Sequence, residues 1–357
     1  MGRMTTAPPL QLIVGPAGHG VAAYAADVAS ALRTLDARTG VARAETVTEA
    51  INMAHGAPRV HLHVTDRLLG RSPEEAAQNV ERLAAQTRLT LTVHDVPQTS
   101  DGTPLPRRIS AYSRFLAAAH ATAVNSRHEQ GLMEEFLPNA PVPHAIPLGS
   151  RRAVSPPVSR AFDQRDADEG SSRSLVLLIA GYVYPGKGHA QAIEAAADAA
   201  HSLRAAGEAV GDVVVRAIGG ASAGHETDVA VLRTDAERRG VRFEVTDFLP
   251  DDLFAARIAE DGIPLAAHAH VSASRSMLDW VEAGRRPLVV ASRYAEEMRL
   301  LRPGTIALYE PARLASRLIE AWKEPARTWL KPGLRLTPTL VDAADEYLAW
   351  WAGESPR

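Results

Sequence analysis

The chain of 357 residues contains no cysteine, so disulfide bonds, thiolate metal sites and cysteine nucleophiles are excluded. The sequence also lacks any run of about 18 consecutive apolar residues, and its start lacks the apolar core of a signal peptide. The formal net charge of -3 gives no chain-wide basic field for nucleic acid. We therefore expect a cytoplasmic protein that binds no nucleic acid, and we leave peripheral membrane contact and oligomeric state open.

What the chain does contain is an alternation of short β-rich runs with longer helical patterns. Because it is 46% hydrophobic and longer than the roughly 250–300 residues of a single core, we expect two domains. The alternation predicts an α/β fold of doubly wound parallel sheets covered by helices. The predicted strands are Leu10–Val14, Arg59–Val64, Leu89–Val93, Ala121–Val124, His144–Ile146, Leu175–Ala180, Val213–Ile218, Arg242–Val245, Ile263–Ala267, Pro287–Ala291 and Ile306–Tyr309.

A change of composition marks the domain boundary. Residues 151–174 are rich in proline, serine and charge and have no apolar period, which is typical of a linker. Residues 1–150 are therefore predicted to form an N-terminal domain, and residues 175–337 a C-terminal one. Residues 338–357 are predicted to form an amphipathic helix that packs back toward the N-terminal domain.

A glycine-lysine-glycine loop interrupts the segment Ile179–Ala196, between an apolar run and a helical pattern. Lys187 stands where a strand feeds a helix N-terminus, which gathers unpaired N–H groups and partial positive charge. A phosphate group would fit there, although a solvated loop lysine is the alternative. The spacing matches neither the Walker A loop nor the dinucleotide fingerprint, so those two nucleotide sites are not predicted.

Two loops of the first domain follow strands in the same way. Residues 15–20 form a glycine-rich turn after the first strand, and His94 and Asp95 follow the strand Leu89–Val93. Both loops are candidates for ligand contact, while a hydrogen-bonded structural histidine is the alternative for His94. The histidine pairs His61/His63 and His268/His270 each share one strand face, but no acidic third ligand accompanies them, so no metal site is predicted.

These motifs resemble the GT-B-fold glycosyltransferases of the family-4-like type, also called glycosyl transferases group 1. Gly181 and Lys187-Gly188 match the start of the family's nucleotide-sugar domain, while Tyr182 stands at its arginine position. The segment His268–Ser292 resembles the family's acidic motif. Counting back from its glycine, Asp279 takes the second acidic position and Val271 replaces the first.

The resemblance implies two Rossmann-like domains facing a central cleft and a role in carbohydrate biosynthesis. It implies retaining, metal-independent transfer of a sugar from a nucleoside diphosphate sugar to a hydroxyl acceptor, without a cofactor. The implied roles are catalysis by His94, Asp95 and Lys187, donor binding by Gly181, Tyr182, Lys187, Gly188, Ser272, Ser274, Arg275, Ser276 and Asp279, and acceptor contact by the loop of Gly15, Gly18, His19 and Gly20.

Several alternatives stay open at this level. The serines are equally suited to helix capping, and Asp279 to stabilisation by a helix dipole. Arg275 is either solvated or supplies the cation that Tyr182 lacks. A noncatalytic GT-B subunit would account for Val271 and Tyr182, and an epimerase or phosphorylase would share the fold. The missing dinucleotide fingerprint argues against a nicotinamide-dependent oxidoreductase. No motif specifies the donor sugar, the base or the acceptor.

Overall fold

The computed structural model describes residues 7–157, 172–222, 224–268 and 273–353. The chain divides into two compact units, of which the first is Met1–Arg151 with Pro338–Arg357 and the second is Arg152–Thr337. Each unit contains one six-stranded sheet whose neighbouring strands are all parallel. The prediction of an α/β fold with two doubly wound parallel sheets is confirmed.

The first sheet has the strand order β2-β1-β3-β4-β5-β6. Its strands are β1 (Leu10–Val14), β2 (Val41–Ala44), β3 (Arg59–Val64), β4 (Arg88–Val93), β5 (Ala121–Val124) and β6 (His144–Ala145). The helices are α1 (Gly20–Leu35), α2 (Val47–Ala54), α3 (Asp66–Leu69), α4 (Pro73–Ala84), α5 (Leu105–Ala118) and α6 (Arg127–Phe136). Strands β3 and β4 are buried along almost their whole length, as expected for central strands covered on both faces.

The second sheet has the strand order β12-β11-β10-β7-β8-β9. Its strands are β7 (Arg173–Ala180), β8 (Val210–Ile218), β9 (Arg242–Val245), β10 (Ile263–Ala266), β11 (Leu288–Val290) and β12 (Ala307–Tyr309). The helices are α7 (His189–Ala205), α8 (Glu226–Arg238), α9 (Asp251–Ile258), α10 (Arg275–Glu282), α11 (Arg293–Leu301) and α12 (Leu314–Lys323).

Local sequence explains where the helices begin. Ser72 accepts a hydrogen bond from the backbone of Glu75, and Pro73 follows at a position where its missing N–H costs nothing. Thr46 and Glu49 form a reciprocal capping box at the start of α2. Ser126 caps α6 by accepting a hydrogen bond from the backbone of Glu129.

The C-terminal helix α13 (Leu340–Gly353) belongs to the first unit and packs on α1. The buried Tyr347 joins it to β4, because its hydroxyl lies 2.8 Å from the Thr92 hydroxyl. Residues 152–157 run with the second unit, where the Ser155 hydroxyl donates to the carbonyl of Lys331. Residues 158–171 of the predicted linker lie outside the described part of the chain. Among the described residues, no helix is long and apolar enough to cross a membrane.

Candidate functional site

The central strands of the second sheet end in backbone contact with each other. Gly181 follows β7 with φ of 101°, and Gly219 follows β8 with φ of 150°. A Cβ atom added at Gly219 would lie 2.4 Å from the carbonyl oxygen of Gly181, so only glycine fits there. These glycines lie at the carboxyl edge of the sheet, which is where parallel α/β sheets bind their ligands.

Lys187 is buried beside this edge, with only 6% of its surface exposed. Its Nζ lies 3.3 Å from the hydroxyl oxygen of Ser276, the one hydrogen-bond partner that the described residues provide. Gly188, with φ of 93°, precedes α7, and a Cβ atom there would lie 2.4 Å from the Cβ of Ala267. This close approach fixes the lysine between the exits of β7 and β10. An ammonium carries three donors, so two of them are available to a ligand.

The charge on Lys187 is set by two opposing effects. Burial lowers its pKa to about 8, and the Asp279 carboxylate opposes part of that decrease. The ammonium is therefore mostly protonated at pH 7. A buried, protonated and incompletely paired lysine is costly unless an anion joins it.

The serine-rich loop contributes hydroxyl groups next to this lysine. Ser274 caps α10 by accepting from the backbone of Met277, and its own N–H donates to the Tyr294 hydroxyl. The Ser276 hydroxyl lies 3.3 Å from that of Ser274, which links both serines to Lys187. Ser272, for which donor contact was predicted, lies outside the described residues, as do Val271 and His270.

Arg275 lies between two carboxylates of its own helix. Its Nε is 3.0 Å from Asp279, and its terminal nitrogen contacts Glu282. The positive charge that Arg275 could have contributed in place of Tyr182 is therefore already opposed by two negative charges. Tyr182 itself is 46% exposed. Lys187 is thus the buried cation of this edge that no carboxylate contacts directly within the described residues.

Two buried histidines near Lys187 were not predicted as donor-site residues. Neither ring nitrogen of His189 has a hydrogen-bond partner among the described residues, and the same holds for Nδ1 of His268. Burial and the nearby Lys187 charge lower the pKa of both, for His189 to about 4. The sequence could have indicated both, because His189 directly follows Gly188 and His268 lies just after the end of β10.

In the first unit, His94 is held inside the protein by both ring nitrogens. Its Nε2 lies 3.0 Å from Nδ1 of His63, and its Nδ1 lies 3.2 Å from the amide nitrogen of Asn125. That amide also donates to Val93 and Glu129, which identifies its amino end. His94 is therefore neutral, with its proton on Nε2 directed at His63. Its role in catalysis stays a prediction.

Asp95 adopts the left-handed backbone conformation, with φ of 53°. The guanidinium of Arg108 stabilises it by donating to the Asp95 carbonyl at 2.5 Å and to its carboxylate at 3.0 Å. The same guanidinium contacts Asp66 at 3.2 Å and Asp101 at 2.5 Å. The hydroxyl of Tyr112 adds a further bond to the Asp95 carbonyl. The turn after β4 is thus fixed by buried neighbours, while the Asp95 side chain stays half exposed.

The glycine-rich loop after β1 leads directly into α1. A Cβ atom at Gly15 would lie 2.7 Å from the side chain of Leu68, and its φ of 99° also favours glycine. His19 caps α1 by accepting at Nδ1 from the backbone of Val21, so its neutral form carries the proton on Nε2. Burial and Arg67 lower the pKa of His19. Gly18 and Gly20 flank this histidine, and a Cβ atom added at Gly20 would have no neighbouring heavy atom within 4 Å.

The described residues contain no group of three or more His, Asp or Glu side chains able to hold a metal ion. One cavity of about 280 Å³ lies near Thr122, His144 and Trp350. It is at the amino ends of β5 and β6 and therefore away from the strand exits described above.

No protein-family model matches the sequence, and no curated protein is significantly similar to it. Solved structures do share the fold. HepE of Anabaena, in complex with UDP and glucose, is 17% identical, with 96% of each chain covered and a TM-score of 0.63. An α,α-trehalose-phosphate synthase (UDP-forming) of Burkholderia xenovorans, with glucose-6-phosphate, is 12% identical over 82% of this chain and 72% of its own, with a TM-score of 0.57.

A TarM variant of S. aureus, in complex with fondaparinux, α-GlcNAc-glycerol and UDP, is 10% identical. The match covers 80% of this chain but 53% of TarM, with a TM-score of 0.51. At these identities the likeness concerns the fold alone. The chain therefore has the two-unit fold of the GT-B glycosyltransferases.

Proposed function

We propose that this protein is a glycosyltransferase of the family-4-like type that uses a nucleoside diphosphate sugar and a hydroxyl acceptor. The observation that carries the proposal is the buried and incompletely paired Lys187 at the exit of β7. The fold supports it, because the similar structures include UDP complexes of HepE and TarM.

The chemical demand of this reaction is charge stabilisation on the leaving group. As the bond from the anomeric carbon to the phosphate oxygen breaks, the diphosphate gains negative charge and the sugar becomes oxocarbenium-like. The buried Lys187 ammonium and the N–H groups at the start of α7 would stabilise that negative charge. Ser274 and Ser276 are the adjacent hydroxyl groups.

The proposal includes retention of configuration and independence from metal ions. In a retaining transfer the acceptor oxygen bonds to the anomeric carbon on the face that the phosphate leaves, and its proton passes to the departing phosphate oxygen. This route needs no carboxylate nucleophile, which agrees with Val271 at the first acidic position of the motif. The positive charge comes from Lys187, so a divalent cation is not a necessary partner of the diphosphate.

His94, Asp95 and the loop around His19 are proposed for the acceptor side and the donor sugar. The bond pattern of His94 supports action as a buried neutral group, whose catalytic role is part of the proposal. His19 uses Nδ1 for the cap of α1, so its Nε2–H is not needed for the cap. We propose that His19 donates a hydrogen bond to a substrate oxygen.

The test begins with thermal unfolding in the presence of nucleoside diphosphates and their sugars. A ligand at 100 times its dissociation constant stabilises the protein by about 2.7 kcal/mol, which is easily measured. The best donor is then incubated with candidate hydroxyl acceptors, and nucleotide release and product configuration at the anomeric carbon are followed. Binding without hydrolysis or transfer would favour a noncatalytic nucleotide-sugar-binding subunit, and absence of any nucleotide binding would refute the proposal.

A further inference from the structure

Three buried basic side chains meet near the exits of β7 and β10: Lys187, His189 and His268. Their exposed fractions are 6%, 2% and 7%. Lys187 has a single hydroxyl partner among the described residues, and three histidine ring nitrogens in this cluster have none. A buried donor or acceptor without a partner is destabilising, so a ligand that bonds to these nitrogens would gain that free energy on binding.

The described surroundings of these histidines supply no hydrogen-bond partner to the three ring nitrogens. The ring of His189 packs edge-on against Phe243, with 5.8 Å between the ring centroids, and both belong to the interior of the second unit. The backbone of Gly188 is pressed against Ala267, which brings the start of α7 onto the residue before His268. The protein thus places polar ring nitrogens in an apolar setting next to a helix N-terminus.

The charges of this cluster favour binding of an anion. Besides burial, the charge of Lys187 lowers the pKa of His189 and His268, and His189 also lowers that of His268. Burial lowers the pKa of Lys187, and the Asp279 carboxylate opposes that decrease. Asp279 is itself paired with Arg275, so it does not neutralise the lysine alone. With both imidazoles neutral at pH 7, the cluster carries about one positive charge. A bound diphosphate would reverse the field at the imidazoles and favour their protonation.

We propose that His189 and His268 complete the diphosphate site around Lys187, and that diphosphate binding draws a proton from solvent onto this histidine pair. The inference rests on the proposed function for the identity of the ligand. It gives the site a second positive charge, which the tyrosine at position 182 does not provide. The protonated imidazole donates to a phosphate oxygen, and no covalent bond is made or broken in the binding step.

The first measurement uses the unaltered protein. Isothermal titration calorimetry with UDP-glucose at pH 7, in buffers of different ionisation enthalpy, reports the number of protons taken up. The diphosphate of UDP-glucose does not titrate near pH 7, so uptake belongs to the protein. We expect about 0.5–1 proton per bound ligand, whereas Lys187 with a pKa of about 8 can account for only about 0.1.

The second measurement uses pyrophosphate, which is independent of base and sugar. His268→Asn and His189→Phe are expected to weaken its binding about 10- to 100-fold, the range for hydrogen bonds to charged groups. His189→Phe keeps an aromatic ring against Phe243, and circular dichroism checks that both variants fold. His201→Asn, on the exposed side of the same helix α7, is the matched control and should leave binding unchanged.

The outcomes separate this inference from the proposed function. UDP-glucose binding without proton uptake, or pyrophosphate binding that is unchanged in both folded variants, would overturn the histidine site and leave the glycosyltransferase proposal intact. Pyrophosphate binding that depends on His268, with no nucleotide or nucleotide sugar bound, would support the histidine site and refute the glycosyltransferase. If the protein binds neither UDP-glucose nor pyrophosphate, both are wrong.

Discussion

The two sheets have the same parallel architecture, yet their carboxyl edges are built differently. At the first, polar side chains bond to one another, because His94 lies between His63 and Asn125 and Arg108 lies among carboxylates. In this network, Nε2 of His63 and Oδ1 of Asn125 lack a hydrogen-bond partner among the described residues. At the second, Lys187 lies buried with one hydroxyl partner among the described residues. Bonds among side chains fix the geometry of the first edge, whereas an incompletely paired buried cation at the second keeps donors for a ligand.

The ion pairs of Arg108 predict the largest effect on stability. Arg108→Met would leave the buried carboxylate of Asp66 without its cation, and breaking a buried pair in this way costs about 3–5 kcal/mol. Urea denaturation, followed by circular dichroism, measures the loss. The neighbouring Arg107 pairs with Glu74 at the surface, so Arg107→Met is the matched control and should change stability little. Equal losses in both variants would mean that the buried ion pairs of Arg108 stabilise the protein no more than the surface pair of Arg107.

The incompletely paired cation predicts the largest effect on turnover. Lys187→Ala should lower transfer about 10²–10³-fold, the scale for one preorganised group at a developing negative charge. Lys187→Arg is also expected to be impaired, because a planar guanidinium replaces a compact ammonium beside Gly188. The control is Lys331→Ala, an exposed lysine of the same unit. Steady-state kinetics measure the turnover of each variant. Full activity of Lys187→Ala would show that this residue does not act on the leaving group.

Asp279 allows the binding role and the structural role to be separated. If its carboxylate accepts hydrogen bonds from the ribose, Asp279→Asn should weaken nucleotide binding by about 1.5–3 kcal/mol. The structure offers a competing role, because Asp279 also pairs with Arg275 at 3.0 Å. Glu282→Gln removes the other carboxylate from the same arginine and serves as the comparison. Similar nucleotide affinities in the two variants would assign Asp279 to the arginine pair alone.

The fold was accessible from the sequence because most strands are short runs rich in apolar and β-branched residues between turn residues. Strand β2 was missed, since the four residues Val41–Ala44 alternate in exposure at the sheet edge and resemble a loop. Several predicted strands differ from the observed ones by one to three residues at their ends, which apolar content alone does not define. Strand β7, for instance, begins at Arg173, two residues before the predicted start.

The site was accessible only where neighbouring residues form a motif. Lys187 and Gly188 are adjacent in sequence, so their place at a strand exit could be predicted. The bond from His63 to His94 joins residues 31 positions apart and depends on the parallel register of β3 and β4. The pairing of Arg275 with Glu282 depends on side-chain rotamers that no pattern records. Partner choice among polar groups therefore required three-dimensional structure.

Acid should weaken the first unit through its buried histidines. Burial lowers the pKa of His61 to about 3, and it lowers those of His63 and His94 well below the usual value. The folded state thus binds fewer protons than the unfolded state, so this stability is complete above about pH 6.5 and decreases as the pH falls. His61 alone accounts for about 2 kcal/mol between pH 7 and pH 5.

Hydrogen exchange followed by mass spectrometry reports the two units separately at these pH values. We expect protection of β3 and β4 to decrease more at pH 5 than protection of β11 and β12, after correction for intrinsic exchange. The second unit also contains buried histidines, with the pKa of His189 lowered to about 4, so the comparison strands are chosen away from it. Equal loss of protection in both sets of strands would contradict an origin in the histidines of the first unit.

The smallest expected effect concerns the bond that joins α13 to β4. Tyr347→Phe removes a hydroxyl that lies 2.8 Å from the Thr92 hydroxyl, and a typical hydrogen bond contributes about 0.5–1.5 kcal/mol. The loss should fall at the low end, because Thr92 keeps its contact with His61 at 3.1 Å. Thr92→Val removes both bonds and leaves the buried Tyr347 hydroxyl unpaired, so it should cost more than Tyr347→Phe. In the double variant both hydroxyls are gone, and its loss of stability should be smaller than the sum of the single losses. Strictly additive losses in urea denaturation would show that this contact does not stabilise the helix on the sheet.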